Sequence, residues 1–99
     1  MLWQCQFKWH PSTTGQQVRR RILEQHDAGA NHPERIKGWY GDVGGGSGFL
    51  LVESDEPREV SAFLTPYRDL MEFEVHGVFE VSYDAAIQGL RQSEQLAPV

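Results

Sequence analysis

Cysteine is nearly missing from this chain: Cys5 is the single one in 99 residues, so no intrachain disulfide can form and nothing argues for an oxidising compartment. A cytoplasmic location is the resulting expectation. Basic residues are also scarce. Nine Lys and Arg stand against fourteen Asp and Glu, and a formal charge of -5 repels a phosphate backbone, so nucleic acid is not an expected partner. Arg19, Arg20 and Arg21 are contiguous, but adjacent residues of a helix point in different directions, which makes them a solvated helix face rather than an anion site. Long apolar runs are absent too. Residues 49–52 are far short of the roughly 20 needed to cross a bilayer, and the opening residues lack the basic start and apolar core of a signal peptide, so no membrane role is expected. Finally, no Gly-Lys-Ser/Thr phosphate loop, His-x-His or His-Glu-x-x-His spacing occurs, and neither a metal nor a cofactor is expected.

What is present suits a small folded domain. With 39% hydrophobic and 11% aromatic residues the chain is too apolar to remain disordered. At this size only about 60 to 65% of the unfolded surface is buried, so the core is thin and its aromatics matter. Residues 2–10 alternate, with Trp3, Cys5, Phe7 and Trp9 on one face and Gln4, Gln6, Lys8 and His10 on the other, which predicts a first strand. Thr14 followed by Gln17 has the form of a capping box, Val18, Ile22 and Leu23 form a narrow apolar stripe, and Gly29 stops the helix. Residues 35–43 form a second strand weakened by Gly38 and Gly41. The glycine run of residues 44–48 leads directly into a third strand at residues 49–53, so it reads as a hairpin loop and not as a phosphate cradle, which needs a helix after the glycines.

Ser54 or Asp55 is the expected cap of a second helix, with Pro57 in its first turn, Val60, Phe63 and Leu64 buried and Pro66 at its end. The longest alternating run follows. Met71, Phe73, Val75, Phe79 and Val81 face one way, and Glu72, Glu74, His76, Val78 and Glu80 the other, giving a fourth strand. Residues 82–91 form a short third helix, closing a single domain over residues 1–91 with a flexible tail over residues 92–99.

The order β-α-β-β-α-β plus a terminal helix is that of an α+β, ferredoxin-like sandwich with a four-stranded antiparallel sheet. Right-handed crossovers place both main helices on one face. The other face is bare in a single chain, yet Phe49, Leu50, Leu51 and Val52 are apolar on both sides of their strand. A strand of that kind needs cover on both faces, and a symmetric second copy is the economical source, so a homodimer is expected.

The stretch from Gly46 to Pro57, GSGFLLVESDEP, and that from Phe63 to Val75, FLTPYRDLMEFEV, resemble a bacterial family catalogued only as a domain of unknown function. That family is similar to the dimeric α/β-barrel superfamily. The resemblance covers the chain from the first strand through the fourth and implies two sheets packed face to face around a shared barrel. It brings no established catalytic residues. The wider superfamily holds cofactor-independent monooxygenases, haem-degrading enzymes, lactone isomerases and proteins without known activity, so fold analogy names no chemistry.

Glu72, Glu74 and His76, at i, i+2 and i+4 of one strand, project from one face within about 14 Å. Two carboxylates and an imidazole suit metal ligation or proton transfer, and in the implied dimer they line the barrel with Gln4 and Gln6 of the neighbouring strand and with Trp39. These six are the candidate ligand-binding residues. A solvated strand face is the ordinary alternative for all of them. Trp39 and Tyr40 are both able to wall a pocket, with aromatic core packing as the default for each. Cys5, among Trp3, Phe7 and Trp9, reads as a small buried hydrophobe. Three functions follow as expectations: a small-molecule binder using the barrel cavity, a non-catalytic dimeric interaction module, or a cofactor-independent monooxygenase-like or isomerase-like enzyme.

Overall fold

The computed structural model of the protein describes residues 1–96, in the order β1 (Leu2–Trp9), α1 (Gly15–Asp27), β2 (Ile36–Gly41), β3 (Ser47–Glu53), α2 (Pro57–Leu64), β4 (Met71–Val78) and α3 (Tyr83–Leu96). Single 3₁₀ turns at Pro33–Arg35 and Thr65–Tyr67 lead into β2 and out of α2. The strands form one antiparallel sheet in the order β2-β3-β1-β4. This is the ferredoxin-like α+β sandwich that the element order predicts. No described helix is long and apolar enough to cross a membrane.

Local chemistry sets the helix ends. The Thr14 hydroxyl accepts from the Gln17 amide at 3.2 Å while the Gln17 side chain accepts from the Thr14 amide at 2.9 Å, a complete capping box that satisfies two donors otherwise orphaned. At the other end Gly29 takes φ +71°, and the amides of Gly29 and Ala30 return to the carbonyls of His26 and Gln25 at 3.0 and 2.8 Å. The cap of α2 is Glu56, whose carboxylate accepts from the Arg58 amide, and not Ser54 or Asp55. Ser54 lies buried two residues earlier, accepting from the Glu56 amide and donating to Glu59.

The core lies between one sheet face and the two helices. Cys5, Val52, Val60 and Leu64 form its centre, packed by Trp3, Leu50, Phe63 and Phe73. A second cluster of Val18, Leu70 and Met71 sits under α1 against Phe7, Trp9, Ile22 and Tyr67. Burial pushes the Cys5 thiol up to about 11, so it is a packed hydrophobe and a poor nucleophile. The guanidinium of Arg21 donates to the Pro66 carbonyl and to both oxygens of Asp69 at 2.7 and 3.0 Å, tying α1 to the start of β4.

Three boundaries differ from the sequence reading. β2 ends at Gly41, so the hairpin turn runs over residues 42–46 with Gly45 and Gly46 at φ +80° and +77°. β4 ends at Val78, which leaves Phe79 and Val81 outside the strand and exposed, because alternation alone does not reveal where a strand loses its pairing partner. α3 reaches Leu96 and not residue 91, so the tail predicted over residues 92–99 is helical as far as it is described, and residues 97–99 lie outside the described part.

Candidate functional site

Strand register fixes which side chains share the face away from the helices. Cys5 pairs with Leu50 and Val75, and these belong to the covered side. Their neighbours therefore point to the open side, in rows that run across the sheet. One row is Tyr40, Phe49, Gln6 and Glu74. The next is Gly38, Leu51, Gln4 and His76, and a third is Ser47, Lys8 and Glu72. The open face thus grades from aromatic and aliphatic at β2 and β3, through amides on β1, to carboxylates and an imidazole on β4.

Five of the six candidates from sequence, Gln4, Gln6, Glu72, Glu74 and His76, come together on this face. Trp39 does not. The pairing of Ile36 with Val52 and of Gly38 with Leu51 leaves Lys37 as an extra residue, a bulge that reverses the alternation of β2. Trp39 consequently pairs with Leu50 on the helix side, and Tyr40 occupies the open face in its place. The Tyr40 ring stacks on Phe49 with centroids 4.8 Å apart. Glycine is required beside it, since a Cβ at Gly38 would lie 2.7 Å from the Tyr40 ring and one at Gly48 2.1 Å from the Tyr40 carbonyl.

Polar contacts on this face are local and incomplete. The Gln6 amide donates to the Gln4 side-chain oxygen at 3.2 Å, and Nε2 of His76 lies 3.2 Å from the Glu74 carboxylate, with both groups half or more exposed. A carboxylate beside an imidazole is able to hold and move a proton once water is excluded. Among the described residues no group of three His, Cys, Asp or Glu side chains is placed to hold a metal ion. At the hairpin end the face deepens into a groove of about 560 Å³, lined among others by Lys8, Asp42, Ser47, Phe49, Glu72 and Glu74. Ser47 donates to Asp42 at 2.5 Å, and both residues line the groove.

The sequence reading missed four contributors. Lys8 was legible, because it alternates with Gln4 and Gln6. Phe49 and Leu51 were legible as apolar residues, though only the register shows which two of the four in β3 face outward. Tyr40 was legible as an aromatic able to wall a pocket, but the bulge hid which face it takes.

A family profile described as "Domain of unknown function (DUF3303)" matches residues 1–90. No curated protein matches the chain significantly in sequence. Among solved structures, the fold is similar to that of 5-chloro-2-hydroxyhydroquinone dehydrochlorinase (TftG) from Burkholderia phenoliruptrix AC1100, in complex with 2,5-dihydroxybenzoquinone. The TM-score is 0.60 and the identity 20%, over 82% of this chain and 96% of that one. At such identity the likeness carries the fold alone.

Proposed function

The chain belongs to the DUF3303 family, and from that premise we propose that it acts as a homodimer whose two open sheet faces close around a small, flat, polar molecule. The observation that carries this reading is the composition of the open face. Tyr40 is exposed and Phe49 and Leu51 beside it are only half-buried, and they adjoin Gln4, Gln6, Glu74 and His76, whose hydrogen-bonding capacity is largely unused. A second copy removes the aromatic strip from water, and the polar groups then line an interior that needs a partner for each of them. The stacked Tyr40 and Phe49 suit one face of a ring, and the carboxylates suit hydroxyl or N–H donors on its rim. His76 with Glu74 supplies a proton acceptor at that rim, which extends the reading to cofactor-independent proton-transfer chemistry.

The test has two stages. Sedimentation at micromolar concentration is expected to return twice the 11.3 kDa chain mass, and a monomer there overturns the reading. Thermal shift is then run against flat hydroxylated rings, with 2,5-dihydroxybenzoquinone among them because the structurally similar dehydrochlorinase binds it. Stabilisation of the parent that is lost in His76→Ala and Glu74→Gln supports the site. Stabilisation that survives both places the ligand elsewhere, and no stabilisation by any ring favours the non-catalytic dimeric module.

A further inference from the structure

The end of the described chain does not pack on the rest of it. β4 stops at Val78, residues 79–82 run on without a strand partner, and α3 begins as the Ala86 amide donates to the Ser82 carbonyl at 2.9 Å. Phe79 is 84% exposed and Tyr83 78%, with Val81 and Leu90 exposed as well. Tyr83, Ala86, Ile87 and Leu90 recur at i, i+3, i+4 and i+7, the spacing of a stripe that a packed helix buries. Yet only Ala86 and Ile87 are even half-buried.

The dimensions agree. The radius of gyration is 18.0 Å, against about 13 Å for a compact domain of this length. The longest axis is 60 Å. Eight-residue strands span about 27 Å and a 14-residue helix adds about 21 Å, so α3 stands off the body as a separate arm. Solvent is a poor environment for such an arm, since an isolated helix of this length is marginal without tertiary packing.

We propose that residues 79–96 form an arm that packs on a second copy of this chain, each copy clasping the other. The inference rests on the dimer reading above and extends it. A second copy is the occupant because the arm springs from β4, an edge strand of the open-faced sheet, so it is continuous with the face that the dimer closes. The opposite edge, β2, carries a second uncovered apolar group, Trp39, 60% exposed on the helix side. One chain thus holds both an apolar projection and an uncovered apolar edge, and a twofold pairing satisfies each of them twice. The area is also apt. The two aromatics alone leave on the order of 300 Å² of apolar surface per arm, a substantial share of the roughly 800 Å² per partner that a stable interface buries.

The experiment places a benzophenone amino acid at Tyr83 of the full chain and photo-crosslinks an equimolar mixture of ¹⁴N- and ¹⁵N-labelled copies, with sedimentation run in parallel. The expected result is a dimer whose crosslinked peptides include mixed-isotope pairs. A dimer with crosslinks only inside one copy overturns the arm and leaves the face-to-face dimer standing. A monomer for the unlabelled parent overturns the dimer reading and the arm with it. As a second measurement, the double variant Phe79→Glu and Leu90→Glu changes side chains that are 84% and 66% exposed in the single chain, so it keeps its fold by circular dichroism. Its dimer dissociation constant is expected to rise at least tenfold. An unchanged constant overturns the proposal.

Discussion

The two faces of the sheet solve the same physical problem in opposite ways. On the covered face Cys5 is 0% exposed and Leu64 1%, and the side chains of β1, β3 and β4 alternate so that the helices of the same chain bury the centre of that face. On the open face Phe49, Leu51 and Tyr40 are just as apolar, but among the described residues they belong to neither of the buried clusters that the helices cover. The covered face is therefore where the fold is determined, and the open face is where the molecule has something left to bind. Apolar residues are thus informative about function only after register shows which side they occupy.

The largest effect that breaks this comparison comes from the covered side. Leu64→Ala removes a fully buried side chain from the centre of the core and is expected to cost about 2 to 5 kcal/mol in urea unfolding. Phe49→Ala on the open face is expected to cost less in the same measurement and to act instead on association. Introducing a charge there, as Phe49→Glu, is expected to weaken dimerisation by about a hundredfold or more in sedimentation, because a buried unpaired carboxylate costs several kcal/mol. If both replacements shifted unfolding equally and left association unchanged, the two faces would not differ as described.

The covered face was also the part most legible in the sequence. Trp3, Cys5, Phe7 and Trp9 alternate without interruption, and the Thr14 to Gln17 capping box and Gly29 stop mark α1 within a residue or two, because these are local signals. Five of the six candidate site residues were legible for the same reason: a strand of period 2 assigns faces by counting. Trp39 was misplaced because a bulge is set by how β2 pairs with β3: Gly38 is a local sign of irregularity, but it does not say which residue is the extra one. The end of β4 was overrun for a related reason. Phe79 and Val81 continue the pattern, but the pairing of β4 with β1 stops at Val78, opposite Leu2, and alternation carries no mark of that stop.

A smaller effect sharpens the contrast through pH. Burial holds the folded-state pKa of Cys5 near 11, above its ordinary 9.0, so the folded chain keeps its proton where the unfolded chain loses it. The associated stability is complete below pH 9 and is lost as pH rises through the window from 9 to 11, at about 1.4 kcal/mol per unit. Cys5→Ala is expected to flatten this alkaline limb in urea titrations at successive pH values. A limb that stayed as steep would mean that the thiol is not the titrating group.

The smallest expected effect concerns the ion pair at the rim of the covered side. The Asp69 carboxyl is held below its ordinary range of 3.8 by the hydrogen bonds from Arg21, and the same pairing raises the Arg21 guanidinium. A depressed carboxyl contributes stability that is present above the unfolded value and disappears as pH falls through the lower folded value, so the loss belongs below about pH 3.8. Asp69 is well exposed, and solvent screens such a pair strongly. Asp69→Asn is therefore expected to leave the unfolding midpoint at pH 7 within the scatter usual for surface substitutions and to flatten only the acid limb below that pH. The Pro66 carbonyl still accepts from Arg21 after this change, which keeps α1 anchored to the turn before β4. A large loss at neutral pH would show that the helix layer is held to the sheet by this ion pair as much as by Val18, Leu70 and Met71, and the covered face would then owe less to apolar packing than its burial implies.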